Sequence, residues 1–513
     1  MSADSACSQF PPGQLSRKPA WKVSSRPTEG EAFSDARSAP MAHVLIIGAG
    51  PVGLAAAMLL AADGHRATVL DRDPAAARTV EAATGGDWRR PGVKQFGHTH
   101  ILMPGGFRLL DKELPGAVDR IREAGGKTYN MICGTWNAGS AGPRQAGDER
   151  FETVTARRPV LEAALFATAA ETPGVRILAG TKVVSLLVGE SRTSGRTHIA
   201  GVVTESGARI EADLVVDASG RRTEVPDLLT QVGGAPEVLR EEAGFRYYTR
   251  YFRADERGVP TPRTWPLSHH NSISISTAPG DGDTWSTTLV TADRDQELRP
   301  LSRVDVWNRV LALYPHAAHW NEGIPLTEVN VVGGTHNSQR RLVADGQPVA
   351  TGIMAIGDAR MTTNPQFGAG ITTGLRHAVR MRDVLRLLGT DDAVELALSV
   401  DREIDAEFGS SWQDDAAWNR HRTAEIDAEM RGERYETDDP GWALRSMVEA
   451  VLLEDGDILR AWGDVGSLLA SADEAFVKSG LVERVVTLGA DAPRYSEPGP
   501  NREELLAAVR DGE

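Results

Sequence analysis

The sequence predicts an α/β fold: a discontinuous, Rossmann-like dinucleotide-binding domain, a β-sheet domain inserted into it, and a helical C-terminal region. Three observations predict it. A strand-turn-helix signature, HVLIIGAGPVG, stands near position 50. Apolar strands that suit the same sheet recur far downstream, in DLVVDASGRR near 217 and GIMAIGDARMTTNPQFGAGITTG near 360. Between the last two, the pattern changes to the period-two alternation of strands. The expected organisation is a disordered extension over 1–40, a nucleotide-binding domain from 41–240 and 346–389, a substrate-binding domain over 241–345, and a helical region over 390–513.

The first forty residues are rich in Ser, Pro, Arg and Ala without hydrophobic periodicity, which predicts disorder, and they hold no apolar core of the secretory kind. Met41, just before the first strand, is a candidate start. Val44 to Ile47 reads as a buried strand. It turns through Gly48, Gly50 and Gly53 into an Ala/Leu-rich helix ending near Asp63. Gly48 permits the tight turn, Gly50 admits a pyrophosphate against the backbone, and Gly53 lets the helix pack on the strand. The helix end then offers unpaired amides to phosphate. A second strand, Arg66 to Leu70, ends in Asp71, at about the twenty-residue distance of a carboxylate that accepts ribose hydroxyls. Asp73 is its rival, and a turn before Pro74 is the plain alternative for both.

The chain then enters a loop-rich stretch, DWRRPGVKQFGHTH, where a nicotinamide-binding fold would continue βαβαβ. The sheet resumes at Asp213 to Asp217 and at Gly352 to Ile356. Completion from such distant segments suits a flavoprotein whose substrate domain interrupts its FAD domain. Asn364-Pro365 and two glycines make a sharply turned loop, and Ile371 to Leu388 follows as a helix ended by Gly389. The first turn of that helix can aim amides at the flavin pyrimidine ring, worth roughly 0.3–1 kcal/mol for an anion.

In this order the three motifs resemble the single-chain FAD-dependent monooxygenases with the fold of p-hydroxybenzoate hydroxylase, nearest to actinobacterial FAD-dependent oxidoreductases. The likeness covers roughly 43–389. It implies that Asp358 bonds the ribityl chain of FAD, that Pro365, Gly368 and Gly370 pass beside the isoalloxazine, and that Thr372 stands where the family often has Asn. It also implies that Arg158, rather than Arg157, reaches FAD from the start of the helix running to Ala170; a solvent-facing arginine is the alternative. Arg89 and Arg90 could touch flavin phosphates, though an exposed basic loop is the safer reading. The activity implied is insertion of one oxygen atom from O2, through a flavin hydroperoxide, into a hydrophobic aromatic or polyketide-like molecule. FAD carries the hard chemistry, which explains the lack of a Ser/His/Asp or metal constellation.

The motif departs from the family at Ala218-Ser219-Gly220, where many members have ADG with an Asp that serves NAD(P)H. NAD(P)H is thus expected to act either directly, helped by Arg221 and Arg222, or through a partner flavin reductase. The DASG form resembles flavin halogenases, but none of the eleven tryptophans has another two residues away, so their WxWxIP segment is lacking, and Lys94 reads as a solvated loop lysine. A reductase of the geranylgeranyl-reductase type is another alternative. A non-catalytic flavin sensor is a third, disfavoured by the large inserted domain. His98 and His100, in FGHTH, are the proton-relay candidates. Plain surface histidines are the simplest reading of them, and a metal pair finds no companion ligands, so no metal is expected.

Phe245 to Phe252 reads as an aromatic strand, and SISISTAPGDGDTWSTTLVT as two strands about a Gly-Asp turn. Tyr247, Tyr251, Ser274, Ser276 and Trp285 are candidates for the substrate cavity wall. Beyond 390 the chain reads as helices with polar loops, able to cap the cavity or make an oligomer contact. The net charge of −15 argues against nucleic acid or an anionic membrane as partner. The longest apolar run, around Pro51 to Ala62, is too short to span a bilayer. Two cysteines, Cys7 and Cys133, suit a reducing cytoplasm.

Overall fold

The computed structural model describes residues 41–74, 79–86, 88–90, 92–136, 141–191 and 195–510; the expected disordered extension and Cys7 lie outside them. Five parallel strands make the central sheet, in the order Ile353–Ala355, Leu214–Asp217, His43–Ile47, Arg66–Asp71 and Val175–Ala179. Val44, Leu45, Ile46, Val69, Val215 and Val216 are all fully buried, as expected of continuous apolar runs in a sheet covered on both faces. The register sets Ile47 beside both Leu70 and Asp217, and Asp217 beside Ala355. Three strand tips therefore open on one edge, where ligands of open α/β sheets bind.

The helix Pro51–Ala62 is buried from Gly53 to Leu60, wedged between the sheet and the helix Gly370–Leu388. That second helix ends at Gly389, with a φ of 63° that an L side chain adopts only with strain. Both helices end within a residue of where the glycine and apolar patterns predict, while the first begins at Pro51, ahead of Gly53.

The inserted sheet is antiparallel, ordered Leu267–His269, Ile273–Pro279, Thr284–Ala292, Phe245–Arg253 and Ile324–Pro325, with Asn330–Val332 also paired to Phe245–Arg253. Its two faces do different work. Tyr248, Phe252, Trp285 and Leu289 pack into a core with Trp307 of the helix Val304–Ala312. Tyr247, Thr249, Ser276, Thr288 and Val290 turn to the cavity beneath. A three-stranded sheet, Glu237–Glu242, His336–Arg341 and Met361–Thr362, joins the insert to the segment that carries Asn364.

The tail begins with a 38-residue helix, Ala393–Met430, capped by the Asp392 carboxylate on the amides of Val394 and Glu395. It runs from beneath the Gly370–Leu388 helix to the inserted sheet, where Trp418 meets Phe245 at 5.7 Å between ring centroids. The helices Pro440–Val451 and Gly456–Gly466 return over the cavity. The buried Arg460–Asp148 ion pair, 2.8 Å, fastens the second of them to the body. Among the described residues no helix is long and apolar enough to cross a membrane.

Candidate functional site

The glycine turn shows three different reasons for glycine. Gly48 has φ 109°, and a Cβ there would lie 2.5 Å from the Ala218 carbonyl oxygen. A Cβ on Gly53 would lie 2.0 Å from the Gly48 carbonyl oxygen, so that residue sets how closely helix and turn pack. At Gly50 a Cβ would meet nothing within 4 Å, and the residue lines the cavity with Pro51 and Val52. The helix starts there without a side-chain cap, leaving its first amides for an anion. This is a cradle that a side chain would fill, and it fits the diphosphate of a dinucleotide.

Asp71 stands at the adjacent strand tip. Its Oδ2 accepts from the Ala49 amide, 2.7 Å, and its Oδ1 from the Asp73 amide, 2.8 Å. Arg90 donates to the same Oδ2 from 3.0 Å, and also to Asp73 at 2.7 Å and Glu162 at 2.7 Å. The exposed-loop expectation therefore fails for Arg90, which is 8% exposed, and holds for Arg89. The reason is tertiary: three carboxylates from two segments compensate one guanidinium, and that makes its burial affordable. Burial alone would raise the Glu162 carboxyl, but Arg158 and Arg90 leave it below its ordinary value.

Glu162 continues the network. Its Oε1 accepts from Arg158 Nε, 2.6 Å, and Arg158 Nη1 lies 3.1 Å from His100 Nε2. Arg158, His98 and His100 all line the cavity, whereas Arg157 is held by Asp281 at 2.7 Å. The surface reading of the histidines is also corrected. His98 is buried, its Nδ1 2.8 Å from Thr249 Oγ1, and its carbonyl accepts from Tyr251 OH at 2.6 Å. The inserted sheet covers this loop, and burial pushes His98 down to about 4. Burial and then the Arg158 charge push His100 down to about 3. Both rings are neutral at physiological pH.

At the third motif, Asp358, Pro365, Gly368 and Gly370 line the cavity. Gly368 has φ 66°, and the Gly370–Leu388 helix begins with no side-chain cap. Asp358 Oδ2 lies 3.3 Å from Arg221 Nε, and Arg221 also donates to the Thr363 carbonyl at 2.6 Å. Thr372 is elsewhere. Its buried Oγ1 makes no hydrogen bond with the described residues and points toward Gly106, where a Cβ would come within 2.3 Å of it. Its side chain packs helix on helix rather than facing the cavity. Ser219 does line the cavity, its Oγ 2.5 Å from Asp217.

Of the substrate-wall candidates, Tyr247 and Ser276 are on the wall. Trp285 is fully buried, its Nε1 donating to the Trp320 carbonyl at 2.9 Å. Ser274 is occupied by His269 Nδ1 at 2.8 Å, and Tyr251 by the His98 carbonyl. The cavity is continuous from Gly50 to the tail helices and holds about 1420 Å³. One drug-sized ligand takes ~300–1,000 Å³, so there is room for a dinucleotide and a second molecule. Lys94 is exposed at its rim.

Sequence reasoning missed what the tail contributes. Asp415, on the long helix, accepts the Asn364 amide on Oδ2 at 2.9 Å and also takes Asn337 Nδ2 on that oxygen. Asn364 in turn accepts Tyr247 OH at 2.7 Å and donates to Asn419 at 2.7 Å. The turn of the third motif is thus held by a carboxylate 51 residues away. No local signal marks Asp415; a polar residue on an otherwise apolar helix face is its only trace. Burial pushes its carboxyl up to about 6 from 3.8. Because the folded value lies above the unfolded one, the contribution of this group to stability is present below pH 4 and is lost as pH rises to about 6. An Asn can keep both accepted hydrogen bonds without the charge. Asp415→Asn is therefore expected to be more stable than wild type by up to about 3 kcal/mol above pH 6, with the difference vanishing near pH 4. Paired denaturant titrations across pH 4–8 measure it.

A sequence profile of the FAD binding domain family matches residues 41–399, a span that holds all three motifs. The chain belongs to that family, and it is an FAD-dependent oxidoreductase with the p-hydroxybenzoate hydroxylase type of fold. Solved structures agree on the fold. PqsL, described as a probable FAD-dependent monooxygenase from Pseudomonas aeruginosa, is similar at 18% identity with a TM-score of 0.56, over 75% of this chain and 97% of PqsL. A flavoprotein/dehydrogenase from Cytophaga hutchinsonii is similar at 15% identity and TM-score 0.56, over 87% and 99% of the two chains. The flavin-dependent halogenase CmlS is similar at 19% identity and TM-score 0.54, over 86% and 78%. No curated protein sequence matches the chain.

Proposed function

We propose that this protein is a monooxygenase that places one oxygen atom from O2 on a hydrophobic aromatic or polyketide-like small molecule. The observation that carries the reading is the single cavity that joins the phosphate cradle at Gly50 to a chamber walled by Tyr247, Trp265, Met131 and Phe367. Bound FAD supplies the redox chemistry and the activation of oxygen. The protein's own residues do the rest. Gly50 and the uncapped helix end take the diphosphate, and Asp71, fixed by Ala49 and Arg90, presents its carboxylate to the adenosine ribose. Asp358 would hold the ribityl chain, and Pro365, Gly368 and Gly370 would border the ring. His98, bonded to Thr249, and His100, bonded to Arg158, are both neutral and are our candidates for the proton path. The inserted sheet and tail exclude water from the chamber. The division into a two-segment FAD domain, an inserted domain and a helical tail belongs to this proposal, as does a cytoplasmic setting.

The electron donor follows from Ser219 and Arg221. An uncharged residue stands where NAD(P)H-using relatives have Asp, and Arg221 is committed to Asp358 and Thr363, which leaves Arg222 alone to greet a nicotinamide diphosphate. Electrons therefore come from a partner flavin reductase. Anaerobic stopped-flow mixing of FAD-loaded protein with NADH or NADPH is expected to leave the oxidised flavin band intact; rapid bleaching by either nucleotide alone would refute a separate donor. With photoreduced FAD and ¹⁸O2, a mixture of candidate aromatic compounds is expected to yield a product heavier by one ¹⁸O atom. Product formation that requires halide, or that proceeds without oxygen, would replace this reading by a halogenase or a double-bond reductase.

A further inference from the structure

The chamber wall carries a cation whose binding edge the described residues leave open. Arg445, on the helix Pro440–Val451, lines the cavity. Its guanidinium lies 5.2 Å from the Phe367 ring centroid, 5.1 Å from Trp418 and 5.4 Å from Trp462. These rings fix its plane. Its Nε donates to Glu449 Oε1 at 3.1 Å, and Glu449 Oε2 is taken by Arg494 at 3.1 Å. Arg445 Nη1 and Nη2 make no hydrogen bond with the described residues, and neither is closed off from the cavity as a buried unpaired atom. The two nitrogens form the fork that matches a carboxylate in bidentate fashion. Phe367 belongs to the turn between Pro365 and Gly368, so the fork sits at the end of the loop assigned to the flavin ring. Close by, His269 also lines the cavity, with Nδ1 on Ser274 and its ring 5.1 Å from Trp418.

From this geometry we infer that Arg445 is the specificity residue of the chamber and reads the carboxylate of a hydrophobic aromatic acid, which lies against Phe367 and Trp462. The inference rests on the chamber being the substrate site. Two acidic residues share the wall, Asp414 and Asp415. Asp415 is already committed through Oδ2 to Asn364 and Asn337. Burial raises its carboxyl only to about 6, so it is ionised at neutral pH, and the acid-over-amine comparison tests whether its charge outweighs the open fork. Asp414 is the competitor that would favour an amine instead. Glu449 does not cancel the fork, because it is shared with Arg494 and meets Arg445 only at Nε. The arginine also differs from every residue the three motifs supply, since it comes from the tail beyond residue 399, outside the matched family span.

Calorimetric titration of the FAD-loaded protein with 1-naphthoate, 1-naphthamide and 1-naphthylmethylamine separates these cases. The acid is expected to bind at least about tenfold tighter than the amide, the level set by one charged hydrogen-bonded pair, and the amine no better than the amide. Arg445→Met is expected to bring the acid to the affinity of the amide while leaving the amide within about twofold, and Arg445→Lys to retain part of the preference. Equal affinities for acid and amide in the wild type, tighter binding of the amine, no binding of any probe, or an unchanged preference in Arg445→Met would each overturn the inference. The wild-type comparison decides even if a variant fails to fold. If the protein takes up no FAD, the titrations are run on it as purified, so that a failure of the flavin reading is seen separately from a failure of the anion site.

Discussion

Arg90→Met is expected to destabilise the protein by about 3–5 kcal/mol at pH 7.5, the usual cost of removing one partner from a buried ion pair. Among the described residues Arg90 alone reaches Asp71, Asp73 and Glu162 together. Without it Glu162, 1% exposed, keeps Arg158 at 2.6 Å, and Asp71 loses the guanidinium at 3.0 Å. The pH dependence identifies the cause. In the wild type the depressed Glu162 contributes stability above the ordinary carboxylate range, and that contribution is lost as pH falls through its folded value. In the variant desolvation prevails, the carboxyl takes up a proton more readily, and the deficit relative to wild type shrinks toward pH 5. Denaturant titrations at pH 7.5 and 5 read both quantities. A loss below about 1 kcal/mol would mean that water replaces the guanidinium and that the network is not closed to solvent.

The second large effect separates a glycine kept for a ligand from a glycine kept for the fold. Gly50→Val adds atoms to open cavity space at a backbone of φ −83° and ψ 178°, which valine accepts. The variant should fold with near wild-type stability. Overlap with the diphosphate, at the ~1–3 kcal/mol typical of overpacking, should weaken FAD by about 10- to 100-fold. Gly53→Ala should do the opposite, because its Cβ would sit 2.0 Å from the Gly48 carbonyl oxygen. It should lose stability first and flavin only as a consequence. Thermal melts of the apoproteins and FAD titration by fluorescence quenching resolve the pair. Full FAD occupancy in Gly50→Val would show that the turn does not carry the diphosphate.

What the sequence determined by itself is the part written in local pattern. Continuous apolar runs buried on both faces gave the parallel strands, and Gly48 and Gly389 marked backbone positions with φ of 109° and 63° that few other residues hold. A strand of alternating residues, Phe245–Arg253, had to show one face to a core and another to a cavity. Which face was which needed tertiary structure, because period two fixes alternation and leaves its sign open. Hence Tyr247 lines the cavity, while Trp285, across the sheet, packs against Trp320. Charge compensation and hydrogen bonding between distant segments were equally out of reach. Arg90 read as an exposed arginine because its three carboxylates are up to 72 residues away, and His98 as a surface histidine because Thr249 is 151 residues away. Asp415 and Arg445 reach the chamber from a helical tail that carries no motif. Their positions follow from packing of the tail on the inserted sheet, and the side chains that close this site were decided only there.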